Sequence, residues 1–238
     1  MPSLLLLPGL MCDASVWAPQ VAALSPQARC HVPDYGLRDS LTAMAQQMLD
    51  DAPAERFALA GHSMGGRVAL EVMRLAPHRV THLALLDTGT HPRALGEAGD
   101  KERAGRMALL AVAQAQGMRA MGQQWLRGMV HPNVVDTPLY EAMLAMLARS
   151  SPAQFAAQIQ ALLGRPDAAP QLSAVSCPTL VLTGRQDAWS PPEQHAQMAQ
   201  AIAGAQLCIV EECGHMSTLE QAGAVSAALA GWLARPSA

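Results

Sequence analysis

Short apolar runs alternate with longer stretches in which apolar residues recur every three or four positions. Residues 3–9 (SLLLLPG), 29–35 (RCHVPDY), 56–61 (RFALAG), 81–89 (THLALLDTG), 177–184 (CPTLVLTG) and 205–212 (AQLCIVEE) have the length and apolar content of buried strands. Leu41, Met44, Ala45, Met48 and Leu49 mark a helix, and residues 65–76 mark another that Pro77 stops. Two more helices are predicted, over about 192–202 and 218–234. Continuously apolar strands alternating with amphipathic helices predict an α/β fold, a mostly parallel sheet of about six strands flanked by helices.

The alternation breaks once. Between His91 and Leu172 no convincing strand occurs, and that stretch is too long for an unstructured loop inside a compact domain. Helix signals fill it. Thr137-Pro138 offers an N-cap and a first-turn proline ahead of Leu139, Met143, Met146 and Leu147 on one face. Ser151-Pro152-Ala153-Gln154 has the spacing of a capping box ahead of Phe155, Ile159 and Leu162, and Gly164 supplies a stop. The division this predicts is a core of residues 1–90 and 173–238 with a helical insertion over 91–172.

Composition narrows the class. Half of the residues are hydrophobic but only 3% are aromatic, so Leu, Ala, Val and Met must build the core. A net charge of −3 without blocks of like sign disfavours nucleic acid and anionic membranes as partners. Five cysteines, an odd number with no C-x-x-C pair, suggest reduced thiols and a cytoplasmic setting. The apolar start lacks a basic region and Pro8-Gly9 interrupts it, so it is expected to be a strand rather than a leader, and no run is long enough to span a membrane. The pattern does not set an oligomeric state.

Chemistry enters at Gly61-His62-Ser63-Met64-Gly65. It fits G-x-S-x-G between a predicted strand and a predicted helix, the context in which a serine is exposed on a sharp turn as a nucleophile. Glycines are expected at 61 and 65 because a Cβ there would strike neighbouring backbone. The bland alternative is a glycine-rich turn with an idle or phosphate-binding serine, but no G-x-x-x-x-G-K-[ST] accompanies it. A hydroxyl nucleophile needs a base and a group that orients the base. Asp187 follows the strand TLVLTG and His215 follows the next strand, so both should emerge at the sheet edge where Ser63 sits. Asp87, closing the strand after the serine's helix, is a competing acid. Backbone N–H groups of Leu10, after the Gly9 turn, and Met64, at the helix start, are the expected oxyanion donors. Trp17 and Trp189 could wall the acyl site, and Met107, Met118, Met121, Met129, Met143 and Met146 could line an adaptable apolar pocket, although a methionine stripe is more often core. His91 and His131 are too far apart in sequence to suggest a metal site, and no metal or organic cofactor is expected.

The pieces LLLPGL, PDYG, AGHSMGGRVALE, LLDTG, PTLVLTGRQDAWSPP and CGHMSTLEQ together resemble the α/β-hydrolase superfamily, in particular its small, cap-bearing, esterase-like members. The resemblance implies Ser63 as nucleophile, His215 as general base and acid, Asp187 as orienting carboxylate, Leu10 and Met64 as oxyanion donors, and residues 91–172 as a lid. It departs from many members in carrying Pro8-Gly9 where they carry His-Gly. The implied activity is hydrolysis of small or medium apolar esters or lactones through an acyl-enzyme. Other activities of that superfamily stay open at this point: enol-lactonase, carbon–carbon hydrolase, lyase-type synthase of menaquinone biosynthesis, or a ligand-binding receptor on the same fold.

Overall fold

A computed structural model of the protein describes residues 1–237. Six strands form one sheet: β1 (Ser3–Leu7), β2 (Arg29–His31), β3 (Phe57–His62), β4 (Val80–Leu86), β5 (Thr179–Gly184) and β6 (Gln206–Val210). Their spatial order is β2-β1-β3-β4-β5-β6 and every neighbouring pair is parallel. β3 and β5 are buried along their whole length, which is why they read as unbroken apolar runs. β2 stops at His31, shorter than the apolar run through Tyr35 suggested. Pro33 has no N–H to give a ladder, and the chain leaves the sheet edge before reaching it.

Three helices belong to the first half: α1 (Ala18–Leu24), α2 (Leu41–Asp50) and α3 (Met64–Leu75). Ser40 caps α2 through a 3.1 Å bond from the Ala43 N–H to its Oγ. Four more helices, α4 (Glu97–Gln116), α5 (Met118–Leu126), α6 (Pro138–Ala148) and α7 (Pro152–Leu163), fill the stretch between β4 and β5. Thr137 caps α6 and Ser151 caps α7, each accepting the N–H three residues on, at 3.3 and 3.1 Å. The second half of the Ser151 capping box does not form, because Gln154 Oε1 accepts from the Ser150 hydroxyl at 3.0 Å instead. α8 (Pro192–Ala201) precedes β6, and two helices, α9 (Ser217–Glu220) and α10 (Ala222–Leu233), follow it where one was expected, with a break at Gln221.

The chain turns back across the sheet between β1 and β3. β1 leads outward to β2, whereas β3 lies on the other side of β1 and leads away from it. Loops leaving the carboxyl ends of two such strands diverge and leave a crevice. Gly9-Leu10 follows β1 and Ser63 follows β3, so both reach that crevice. The buried core runs through both layers around the sheet and into the helical segment, where Met118, Met121, Met129, Met143 and Met146 are packed.

Candidate active site

Ser63 stands between β3 and α3 with φ 55° and ψ −117°, a left-handed backbone that costs a non-glycine residue on the order of 1–3 kcal/mol. The turn is held by the Ser63 N–H, which donates to the Leu86 carbonyl at 2.8 Å. A Cβ at Gly61 would come within 2.3 Å of the Gly65 carbonyl, and one at Gly65 within 2.2 Å of the Leu7 carbonyl, so the elbow closes only with both glycines.

The structure brings Ser63, His215 and Asp187 together. Ser63 Oγ lies 2.8 Å from His215 Nε2, and His215 Nδ1 lies 2.8 Å from Asp187 Oδ2. The other Asp187 oxygen accepts the N–H groups of Trp189 and Ser190, each at 2.9 Å, which fixes the carboxylate. The His215 N–H donates to the Met129 carbonyl at 2.6 Å. Glu220 gathers the same loop by accepting the N–H groups of Gly214, Met216 and His131. Nothing in the sequence pattern marked Glu220, since its role depends on a fold-back of six residues.

Electrostatics separates the two candidate acids. Burial raises the Asp187 pKa, but the His215 charge and hydrogen bond outweigh it and leave Asp187 below the ordinary carboxylate value. Asp87 is fully buried and is pushed well above that value, by burial first and by the Asp187 charge second. It shares a hydrogen bond with Ser217 Oγ and accepts the Gly184 N–H at 3.2 Å. Surroundings that drive two carboxyl pKa values apart suit the two groups to different roles. Asp187 is the ionised partner of the imidazole, and Asp87 braces the strand ends around it. Burial lowers the His215 pKa, but the Asp187 charge and hydrogen bond outweigh it and raise it above the ordinary imidazole value.

His62, the residue before the serine, is buried as well, and burial followed by the neighbouring His215 pushes its pKa down to about 4. It is therefore neutral, and its Nε2–H donates to the His215 carbonyl at 2.8 Å. His195 also stays neutral, accepting the Thr88 N–H at 3.1 Å.

A cavity of about 730 Å³ opens above Ser63, and Leu10, Met64, Trp189 and His215 are on its wall. Neither the Leu10 nor the Met64 N–H has an acceptor among the described residues. The left-handed turn of the first loop falls on Met11, φ 58°, and not on Gly9. Trp189 lies with its ring 6.0 Å from that of His215 and edge-on to Trp125, and donates its indole N–H to Gly128.

Two expected pocket residues are elsewhere. Trp17 is fully buried in the core, its ring edge-on to His62, because the short helical turn after Asp13 rolls it under the first loop. Met129 offers its carbonyl to His215 while its side chain packs in the core. The methionine pocket does not form either. Of the six, Met107 is partly exposed, the other five are core, and none lines this cavity. Leu109, Trp125, Phe155 and Leu162 supply its apolar lining, together with charged residues of α3 and α4. Among the described residues no group of three His, Cys, Asp or Glu side chains could hold a metal ion, and no helix is long and apolar enough to cross a membrane.

Residues 4–228 match the model of the alpha/beta hydrolase family. The chain belongs to the alpha/beta hydrolase family. A 2-hydroxy-6-oxononadienedioate/2-hydroxy-6-oxononatrienedioate hydrolase of Escherichia coli is 28% identical over 221 residues, covering 86% of this chain and 72% of the relative. A thermophilic esterase from Thermogutta terrifontis, solved with malate bound, is 27% identical with a TM-score of 0.88, covering 98% of this chain and 89% of that one. The enol-lactonase from Burkholderia xenovorans LB400 has a TM-score of 0.84 over 98% of this chain and 91% of its own, and at 24% identity it speaks for the fold alone. As an alpha/beta hydrolase, then, the chain carries the serine, histidine and carboxylate at the carboxyl edge of its sheet.

Proposed function

We propose that this alpha/beta hydrolase cleaves carboxylic esters, lactones included, through an acyl-enzyme formed on Ser63. One observation carries the reading: an unbroken hydrogen-bonded line from the Ser63 hydroxyl through His215 to Asp187, both links 2.8 Å long. His215 takes the Ser63 proton as the oxygen attacks the ester carbonyl, and ionised Asp187 stabilises the imidazolium. Charge on the carbonyl oxygen falls to the free N–H groups of Leu10 and Met64, donors typically worth ~2.7–4 kcal/mol each in the transition state. His215 then protonates the leaving alcohol and afterwards draws a proton from the water that releases the acid. Residues 91–172 act as the lid, its α4 closing one wall of the cavity and its Met129 carbonyl holding the His215 backbone. The likeness to the Thermogutta esterase supports an ester as the substrate.

A second reading is carbon–carbon bond hydrolysis. It is favoured by the Escherichia coli relative, whose named substrate is a keto diacid with no ester to cleave, so hydrolysis there must break carbon–carbon. Turnover of p-nitrophenyl esters and lactones beside Ser63→Ala tests the first reading. Removing the nucleophile should lower kcat by about 10⁴–10⁶-fold. Undiminished turnover in Ser63→Ala overturns it, and turnover of vinylogous keto acids without ester turnover moves the assignment to the second.

A further inference from the structure

Beside the triad, the charged part of the cavity wall is strongly cationic. Arg67, Lys101, Arg106 and Arg165 line it, and Glu102 is the carboxylate among them. Glu102 is already committed. Arg165 takes both of its oxygens, at 2.7 and 2.8 Å, and Arg106 Nε donates to one of them at 3.0 Å. Asp87, the other acid on the wall, is engaged with Ser217 and Gly184 behind the triad. The wall therefore holds more positive charge than its own carboxylates balance.

Arg67 is where the surplus concentrates. Among the described residues no carboxylate lies within ion-pair distance of it. Its Nη1 donates to the His91 carbonyl at 2.9 Å, and Arg165 Nε donates to that same oxygen at 3.2 Å, so two guanidinium groups converge on one neutral acceptor. A methyl group at Gly89 would stand 2.9 Å from Arg67 Nη2, so that glycine leaves the guanidinium its place. Burial first, and the Arg165 charge next, bring the Arg67 pKa down to about 9, which leaves the group charged at neutral pH but poorly compensated. Glu102 acts on Arg67 only from a distance, and a half-buried guanidinium without a paired carboxylate is unfavourable, so a carboxylate meeting its planar fork is the ligand that best relieves it.

Position completes the argument. Ser63 begins α3 and Arg67 lies four residues on, one turn along the same side and about 6 Å along the axis. We infer that the substrate carries a carboxylate, received by Arg67 a few bonds away from the carbonyl that Ser63 attacks. The inference rests on the reaction proposed at Ser63, and it replaces the apolar ester that the family resemblance implied with an anionic one.

The test compares two esters of the same acyl chain, p-nitrophenyl hydrogen adipate and p-nitrophenyl methyl adipate, in the wild type, Arg67→Met and Arg67→Lys. The readout is the ratio of their kcat/KM values, so a general loss of activity divides out. The wild type should favour the free acid by about tenfold or more, the size of one charged hydrogen bond. Arg67→Met should bring the ratio near one, and Arg67→Lys should keep part of it. A second readout needs no turnover: adipate should raise the Tm of the wild type and not that of Arg67→Met. A ratio near one in the wild type, or one unchanged in Arg67→Met, overturns the inference while leaving ester hydrolysis intact. Protection by inorganic phosphate but not by adipate overturns the carboxylate assignment. If neither ester is turned over and adipate still protects through Arg67, the anion site stands and the ester reading falls.

Discussion

At the scale of single residues, the site turns on which carboxyl group is ionised. Asp87 and Asp187 are both buried at the ends of neighbouring strands, and sequence order alone left both open as the acid. Three-dimensional partners separate them: Asp187 hydrogen-bonds the His215 imidazole and two backbone N–H groups, whereas Asp87 bonds one hydroxyl and one N–H and has only the neutral His62 ring, at 3.6 Å, as imidazole neighbour. Asp187→Asn should therefore reduce kcat by about 10⁴-fold, the loss seen when the orienting acid of such a triad is neutralised. Asp87→Asn should cost far less, because the native carboxyl is already pushed toward its neutral form. Steady-state kinetics on one ester decides between them, and equal losses would make the two carboxyls a shared acid. Serine, histidine and acid could be picked out in the sequence because each lies in the segment that follows a strand. Arg67, Glu102 and Glu220 could not, since each matters only through partners on elements that the fold brings near.

At the scale of elements, the β3–α3 elbow is the least forgiving joint. Gly65 packs against the carbonyl of Leu7 at the end of β1, so Gly65→Ala forces backbone apart rather than a side chain aside. We expect it to cost about 3 kcal/mol or more, at the upper end of overpacking effects, in a urea titration. A cost under about 1 kcal/mol would mean the elbow can open without loss. Most strands and helices were readable because each carries its own period and its own stops, as Thr137 and Ser151 show at their helix starts. α1 was not anticipated. It is seven residues long, begins directly from a turn, and has Gln20 as one of its two buried side chains, so it presents no apolar stripe. Gln20 is buried because α9 and α10 supply acceptors for it, the carbonyls of Thr218 and Ala222, about two hundred positions away. For the methionines, the commoner fate of such a stripe, core packing, is what the structure shows for five of the six.

At the scale of the whole molecule, stability and pH are linked through His62. Its folded pKa, about 4, is below the 6.5 of a free imidazole, so the unfolded chain binds this proton more readily. The stabilisation is complete above pH 6.5 and is lost as the pH falls through about 4, amounting to about 3 kcal/mol across that window. Urea titrations from pH 7 to 4.5 should show the wild type weakening with acid and His62→Gln weakening less; parallel slopes would remove His62 from the account. The triad chemistry and the charge preference proposed here also share a single carrier, since Ser63 and Arg67 ride one turn apart on α3. A rigid helix makes that interval a fixed ruler. Breathing of the helical roof can change how fast a molecule enters, but the length of molecule that spans from cut to anchor stays the same at every stage of opening.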